Sequence, residues 1–133
     1  MTRHLLVPMD DSETARGALE HALSIHPDDE ITVIHVIDDL EAGYAGGPAG
    51  GADEVEPDFF AAVQAMADEY GRSVDTTVVE GTSADAILEY ARDEDVDQIV
   101  MGSEGRSGVS RMLLGSVAET VTRKSRIPVT IVP

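Results

Sequence analysis

The sequence predicts an α/β domain of three layers, a doubly wound five-stranded parallel sheet with helices on both faces. Three observations predict it. Five strand-length apolar runs alternate with four stretches of helical spacing, in the order βαβαβαβαβ. The first run, His4-Leu5-Leu6-Val7-Pro8, is continuously apolar, as in a strand covered on both faces. The helical stretches are long enough to be right-handed crossovers between parallel strands.

The elements follow in order. Asp10-Asp11-Ser12-Glu13 has capping spacing, and Ala15, Ala18, Leu19, Ala22 and Leu23 then make one face of a helix that stops before Pro27. The second strand, Ile31 to Ile37, is rich in β-branched residues. From 38 to 56 the pattern dissolves into glycines and scattered acids, which reads as a mobile loop within one domain spanning 1–133. Helical spacing returns through Phe60, Val63, Ala67 and Tyr70. A third strand covers Val74 to Val79, and Gly81 turns the chain. Thr82-Ser83-Ala84-Asp85 caps a helix whose face is Ala84, Ile87, Leu88 and Ala91. Asp97 to Met101 is the fourth strand and Pro128 to Val132 the last.

Between these last strands lies the most informative stretch. Gly102-Ser103-Glu104-Gly105 follows the fourth strand; nine residues later comes Gly115-Ser116, where a helix opens and runs to about Ser125. Gly102 and Gly105 are placed to take φ > 0 and to let the backbone approach a ligand closely. Ser116-Val117-Ala118-Glu119 reads as a capping box, and a helix start there favours an anion. In sheets of this class ligands bind beyond the carboxyl ends of the strands, where the strand order reverses. Those ends are Pro8 to Asp10, Val36 to Asp38, Glu80-Gly81 and Gly102 to Gly105.

Composition narrows the function. The chain has 133 residues, enough for a core without staples, and no cysteine, which fits a cytoplasmic protein. No run is long enough to span a membrane, and no secretory signal pattern follows Met1. Acidic residues outnumber basic ones 26 to 9, for a net charge of −17, which opposes binding to nucleic acid or an anionic membrane surface. That balance resembles proteins of salt-accumulating halophiles, whose self-repulsion is screened by high ionic strength.

Gly102, Gly105, Gly115 and Ser116 complete an unbroken G-x2-G-x9-G-[S/T] motif. Met101-Gly102-Ser103, Leu113 to Val117, Ile127-Pro128-Val129, Val7-Pro8-Met9-Asp10 and His35-Val36-Ile37-Asp38 add to it. On these residues the chain resembles the universal stress protein family, in its nucleotide-binding branch, from the first strand to the last. The resemblance implies strand order 3-2-1-4-5, binding of ATP or another adenine nucleotide, a role in stress adaptation and a homodimer. It implies that Gly102, Gly105, Gly115 and Ser116, with Val117 beside them, hold ribose and phosphates. It implies further that Asp10 after Pro8 helps bind the nucleoside and that Val36 meets adenine through its main chain.

Arg106 and Arg111, inside the nine-residue insert, are placed to pair with phosphate oxygens or to face solvent. Asp10 or Asp38 can help hold Mg2+ through water, since an acidic protein binding a polyphosphate gains from the cation. His4, His21, His26 and His35 do not share a spacing that suggests a zinc site. The only lysine, Lys124, is not a Walker lysine, and no general base stands by the motif, so slow ATP hydrolysis is the most that catalysis amounts to. A phosphorelay receiver domain would need an aspartate at the end of strand three and a lysine at the end of strand five; the chain has neither. An interaction module of the same fold without nucleotide is the remaining alternative. The last strand, Pro128 to Val132, is apolar apart from Thr130, and as a sheet edge it would pair with its copy in the homodimer.

Overall fold

The computed structural model describes residues 3–10, 12–26, 28–37, 57–103 and 114–133. The expected loop at 38–56 and the greater part of the nine-residue insert lie outside them. Within the described residues, β1 (His4–Pro8) leads to α1 (Glu13–Ile25), β2 (Glu30–Ile37), α2 (Phe59–Glu69) and β3 (Asp75–Glu80). The chain goes on through α3 (Ser83–Asp93), β4 (Gln98–Gly102), α4 (Ser116–Lys124) and β5 (Val129–Val132). All pairings are parallel, and the strand order is β3-β2-β1-β4-β5.

The continuous apolar strands follow from burial on both faces. Leu5, Val7 and Met9 point to the layer of α1 and α2, packing with Ala15, Ala18, Leu19, Phe60 and Val63. Leu6 points the other way, with Ile34, Ile99 and Met101, against Ala84, Ile87, Ala118 and Val121 of α3 and α4. The two helices that follow β1 and β2 thus share one face, and the two that follow β3 and β4 share the other. Right-handed crossovers produce this when the winding reverses once. The reversal falls between β1 and β4.

At the opposite, amino-terminal end of the sheet a charged cluster ties the loops together. Gly71, at φ 68, closes α2 in the left-handed region; Arg72 N–H then bonds Ala67 O at 3.0 Å and Gly71 N–H bonds Asp68 O at 3.0 Å. This turn aims Arg72 at the end of α1, where its guanidinium donates to Leu23 O (3.3 Å), His26 O (2.7 Å) and Asp29 O. The last turn of α1 has no basic residue of its own, so Arg72 supplies the cation that its dipole favours. Asp29, only 7% exposed, accepts from Arg3 N–H at 3.1 Å and pairs with His26 Nδ1 at 3.2 Å and Arg3 at 3.4 Å. Burial pushes the Asp29 carboxyl up, but the Arg3 N–H bond and attraction to Arg3 and His26 outweigh it, and the net direction is down.

A depressed folded pKa means stability that is full above the usual aspartate value of 3.8 and lost as pH falls through the lower folded value. Asp29→Asn should therefore cost about 1–3 kcal/mol at neutral pH, because the Arg3 amide and guanidinium lose their charged, buried acceptor. It should also flatten the acid limb of the stability curve below the usual aspartate pKa. Urea titrations of both proteins across that range check both effects.

Candidate functional site

Strand ladders around β1 are unequal, and the shortest one lies at the switch point. β1 and β2 are in register over five pairs, from His4↔Glu30 to Pro8↔Ile34, and β4 and β5 over four, ending at Gly102↔Val132. Between β1 and β4 there are only two pairs, Leu5↔Gln98 and Leu6↔Ile99. Toward their carboxyl ends the two strands thus share no registered pair, at the point where the winding reverses. Pro8, Met9 and Asp10 form one lip and Gly102 and Ser103 the other.

Two helices start at these lips. On α1 the N-cap is Ser12, whose Oγ accepts from Ala15 N–H at 3.2 Å. Asp10, which has capping spacing in the sequence, does not cap the helix. Its Oδ1 accepts from the N–H of Ser12 at 3.0 Å, a short turn that holds a half-buried carboxylate at the start of α1. On α4 the expected capping box does not form. Ser116 is the first helical residue, Gly115 is the N-cap with φ −63 and ψ 159, and no side chain caps the helix. The first intrahelical bond runs from Glu119 N–H to Gly115 O at 2.9 Å. The N–H groups of Ser116, Val117 and Ala118 precede it, and they carry the partial positive charge of the helix start. The helix thus opens at Ser116 as expected, with Gly115 as its N-cap; Gly115 N–H donates to Ser103 O at 2.7 Å, and Ser103 N–H donates to Val132 O at 2.9 Å.

Gly102 has a different reason to be glycine from the one its motif suggests. Its φ is outside the left-handed region, where among described glycines only Gly71 and Gly81 lie. A Cβ at Gly102 would sit 2.6 Å from the Thr14 carbonyl carbon and 2.8 Å from Ala15 N, and closer still to Thr14 Oγ1. The missing side chain lets the first turn of α1 lie directly on the end of β4. Gly102 therefore faces α1 with its Cα hydrogen, and a larger residue there would meet α1.

Val36 and Val117 are half-buried and pack against the same α3 and α4 cluster. The registered β1–β2 pairs end at Pro8↔Ile34, one residue short of where Met9 O would take the Val36 N–H. That carbonyl instead accepts from His35 Nδ1 at 2.9 Å, so Nδ1 carries a proton. His35 also meets the Phe59 ring edge-on at 5.0 Å. The main chain of Val36 thus lies beyond the end of the β1–β2 ladder.

Of the residues expected at the site, Pro8, Asp10, Val36, Gly102, Gly115, Ser116 and Val117 come to the carboxyl edge of the sheet. Gly105, Arg106, Arg111 and Asp38 lie outside the described residues. Sequence reasoning missed Ser12 as the cap, Thr14 as the neighbour of Gly102, Ser103 as the link to Gly115, and His35. Only Ser12 left a local signal, its place three residues before Ala15, and Asp10 competed with it. Among the described residues no group of three or more acidic, histidine or cysteine side chains is arranged to hold a metal, and no helix is long and apolar enough to cross a membrane.

Sequence comparison matches the model of the universal stress protein family over residues 1–133. Universal stress protein MJ0531 of Methanocaldococcus jannaschii is 34% identical, over 98% of this chain and 81% of its own length. The solved structure of MJ0577, from the same organism, superposes with a TM-score of 0.81 at 33% identity, covering 99% of this chain and 96% of that one. A universal stress protein solved in complex with cAMP shares the fold, with a TM-score of 0.74 at 22% identity, covering 98% of this chain and 97% of that one. A doubly wound sheet of order 3-2-1-4-5 and a family match along its whole length agree: this chain belongs to the universal stress protein family.

Proposed function

We propose that this chain binds an adenine nucleotide, ATP with Mg2+, in the crevice between β1 and β4, and acts as a nucleotide-dependent regulator in stress adaptation. The observation that carries the reading is the start of α4. Its free N–H groups open on the switch point without a side-chain cap, directly after a complete glycine motif. The cAMP complex of a related fold supports an adenine ligand. In this reading the amides of Ser116 and Val117, with Gly115, hold phosphates; Asp10 reaches the nucleoside and the Val36 main chain meets adenine. Gly105 and Arg106 join them by the motif alone. The described side chains make no cage for Mg2+, so the phosphates themselves would carry most of its coordination. Binding, rather than dedicated phosphoryl transfer, is the activity proposed, in the cytoplasm of an organism that accumulates salt.

Ser116→Glu separates binding from folding. An acid in the first turn suits the helix dipole by about 0.3–1 kcal/mol, so thermal stability should hold or rise. The same carboxylate would stand where phosphate is proposed to sit, and ATP affinity should fall by at least roughly tenfold. Titration calorimetry in molar KCl measures it. Undetectable binding by the wild type, or equal affinity in the variant, would reject the site.

We propose further that two copies pair through Pro128 to Val132. β5 is an edge strand, and its four residues are all half-buried. Ile99 N–H bonds Pro128 O and Ser103 N–H bonds Val132 O, so the even-numbered residues face β4 and the N–H of Ile131 faces outward. Ile131→Pro removes that outward donor and leaves the β4 ladder its own donors. Light scattering in molar KCl should show a dimer for the wild type and a monomer for Ile131→Pro; a monomeric wild type would refute the pairing.

A further inference from the structure

We infer that Pro8 is a positioning residue that splits the sheet: by withholding a ladder donor from β4, it keeps the seam between β1 and β4 open for the ligand. The inference rests on the nucleotide reading for its functional half only.

In a parallel sheet the backbone groups of successive residues face opposite neighbours. Glu30 N–H donates to Arg3 O and Met9 N–H donates to Ile34 O, so the odd-numbered residues of β1 serve β2. The even-numbered ones, His4, Leu6 and Pro8, face β4, and the amide of Asp97, the residue before β4, bonds His4 O ahead of the alternation within the strand. On β4 the odd residues serve β5, which leaves Gln98, Val100 and Gly102 for β1. The next bond of the ladder after Leu6↔Ile99 would run from the N–H of residue 8 to Val100 O. Proline has no N–H. The pairing ends at that residue, although β1 itself continues to Pro8 and β4 to Gly102.

On its other side the same residue does no harm. β2 neither needs nor receives a donor from position 8, and the β1–β2 ladder runs through Pro8↔Ile34 unbroken. Proline in a central strand normally weakens two-sided pairing, yet here it stops one ladder at the switch point and spares the other. The Val100 carbonyl, in a residue with no exposed surface, is left facing the seam without its strand donor. Any other residue at position 8 would restore that donor and favour closing the strands.

The test is Pro8→Ala, with Pro8→Val as a second variant suited to a strand. Hydrogen exchange without nucleotide reads the seam directly. The restored amide at position 8 should be protected like that of Leu6, at least roughly a hundredfold over a free amide. ATP titration then reads the consequence: affinity should fall about five- to tenfold, because the new ladder bond must open before the ligand enters. An unprotected amide at position 8 in both variants overturns the split-sheet assignment. A protected amide with wild-type affinity overturns the positioning role. If the wild type takes up no ATP, the nucleotide reading falls on its own, while exchange at position 8 still decides whether proline splits the sheet.

Discussion

Gly102→Val should unfold or nearly unfold the protein, costing about 3 kcal/mol or more. A Cβ there falls within 2.8 Å of Ala15 N and within 2.6 Å of the Thr14 carbonyl carbon. Both are backbone atoms in the first turn of α1, so no rotamer change relieves the contact. Relief requires lifting α1 from β4, and the buried face of α1 (Ala15, Ala18, Leu19, Ala22 and Leu23) would leave the core with it. Part of the cavity and transfer cost of those residues then adds to the steric one. Gly102→Ala carries the same Cβ and should lose about 1–3 kcal/mol. Denaturant titrations in molar KCl measure both variants; a wild-type midpoint for Gly102→Ala would disprove the close approach. Loss of ATP binding in Gly102→Val would therefore say nothing about a phosphate contact, which is why Ser116→Glu is the cleaner probe of the ligand.

The second large effect is expected from salt. With a net charge of −17 the folded chain repels itself at low ionic strength. Few cations offset this among the described residues. Arg3 pairs with Asp29, Arg92 with Asp93 and Arg123 with Glu119, and the last two pairs are exposed and contribute little. Around them Asp68, Glu69, Asp75, Glu80, Glu94 and Asp95 face solvent. Between dilute buffer and molar KCl the melting temperature should rise on the order of 10 °C, as screening removes a few kcal/mol of repulsion. Calorimetric scans across that range decide the point. A flat response would remove the physical case for a salt-adapted surface.

Much of this was legible in the sequence. Alternating strands and helices, continuous apolar strands and the faces of α1, α3 and, as far as Ala67, α2 follow from local periodicity, which needs no knowledge of neighbours. Tyr70, expected on the α2 face, is its exposed C-cap. Leu5 and Leu6 are both apolar because both faces of β1 are covered, and that can be read from one strand alone. The strand order came from resemblance and agrees with the structure.

What only the tertiary structure decided is what each small or polar residue is for. Asp10 and Ser12 offer the same cap to the same helix, and the chain's exit from β1 selects Ser12. Ser116 has capping chemistry, but it is the first helical residue, and Gly115, bonded to Ser103, takes the N-cap place. Gly102 reads as freedom of φ and proves to be room for another helix. Pro8 reads as the end of a strand, and register makes it the end of one ladder only. A missing Cβ or a missing N–H has no meaning until a neighbour stands where it would have been. Those neighbours come from distant parts of the chain, so local sequence patterns could not reveal them.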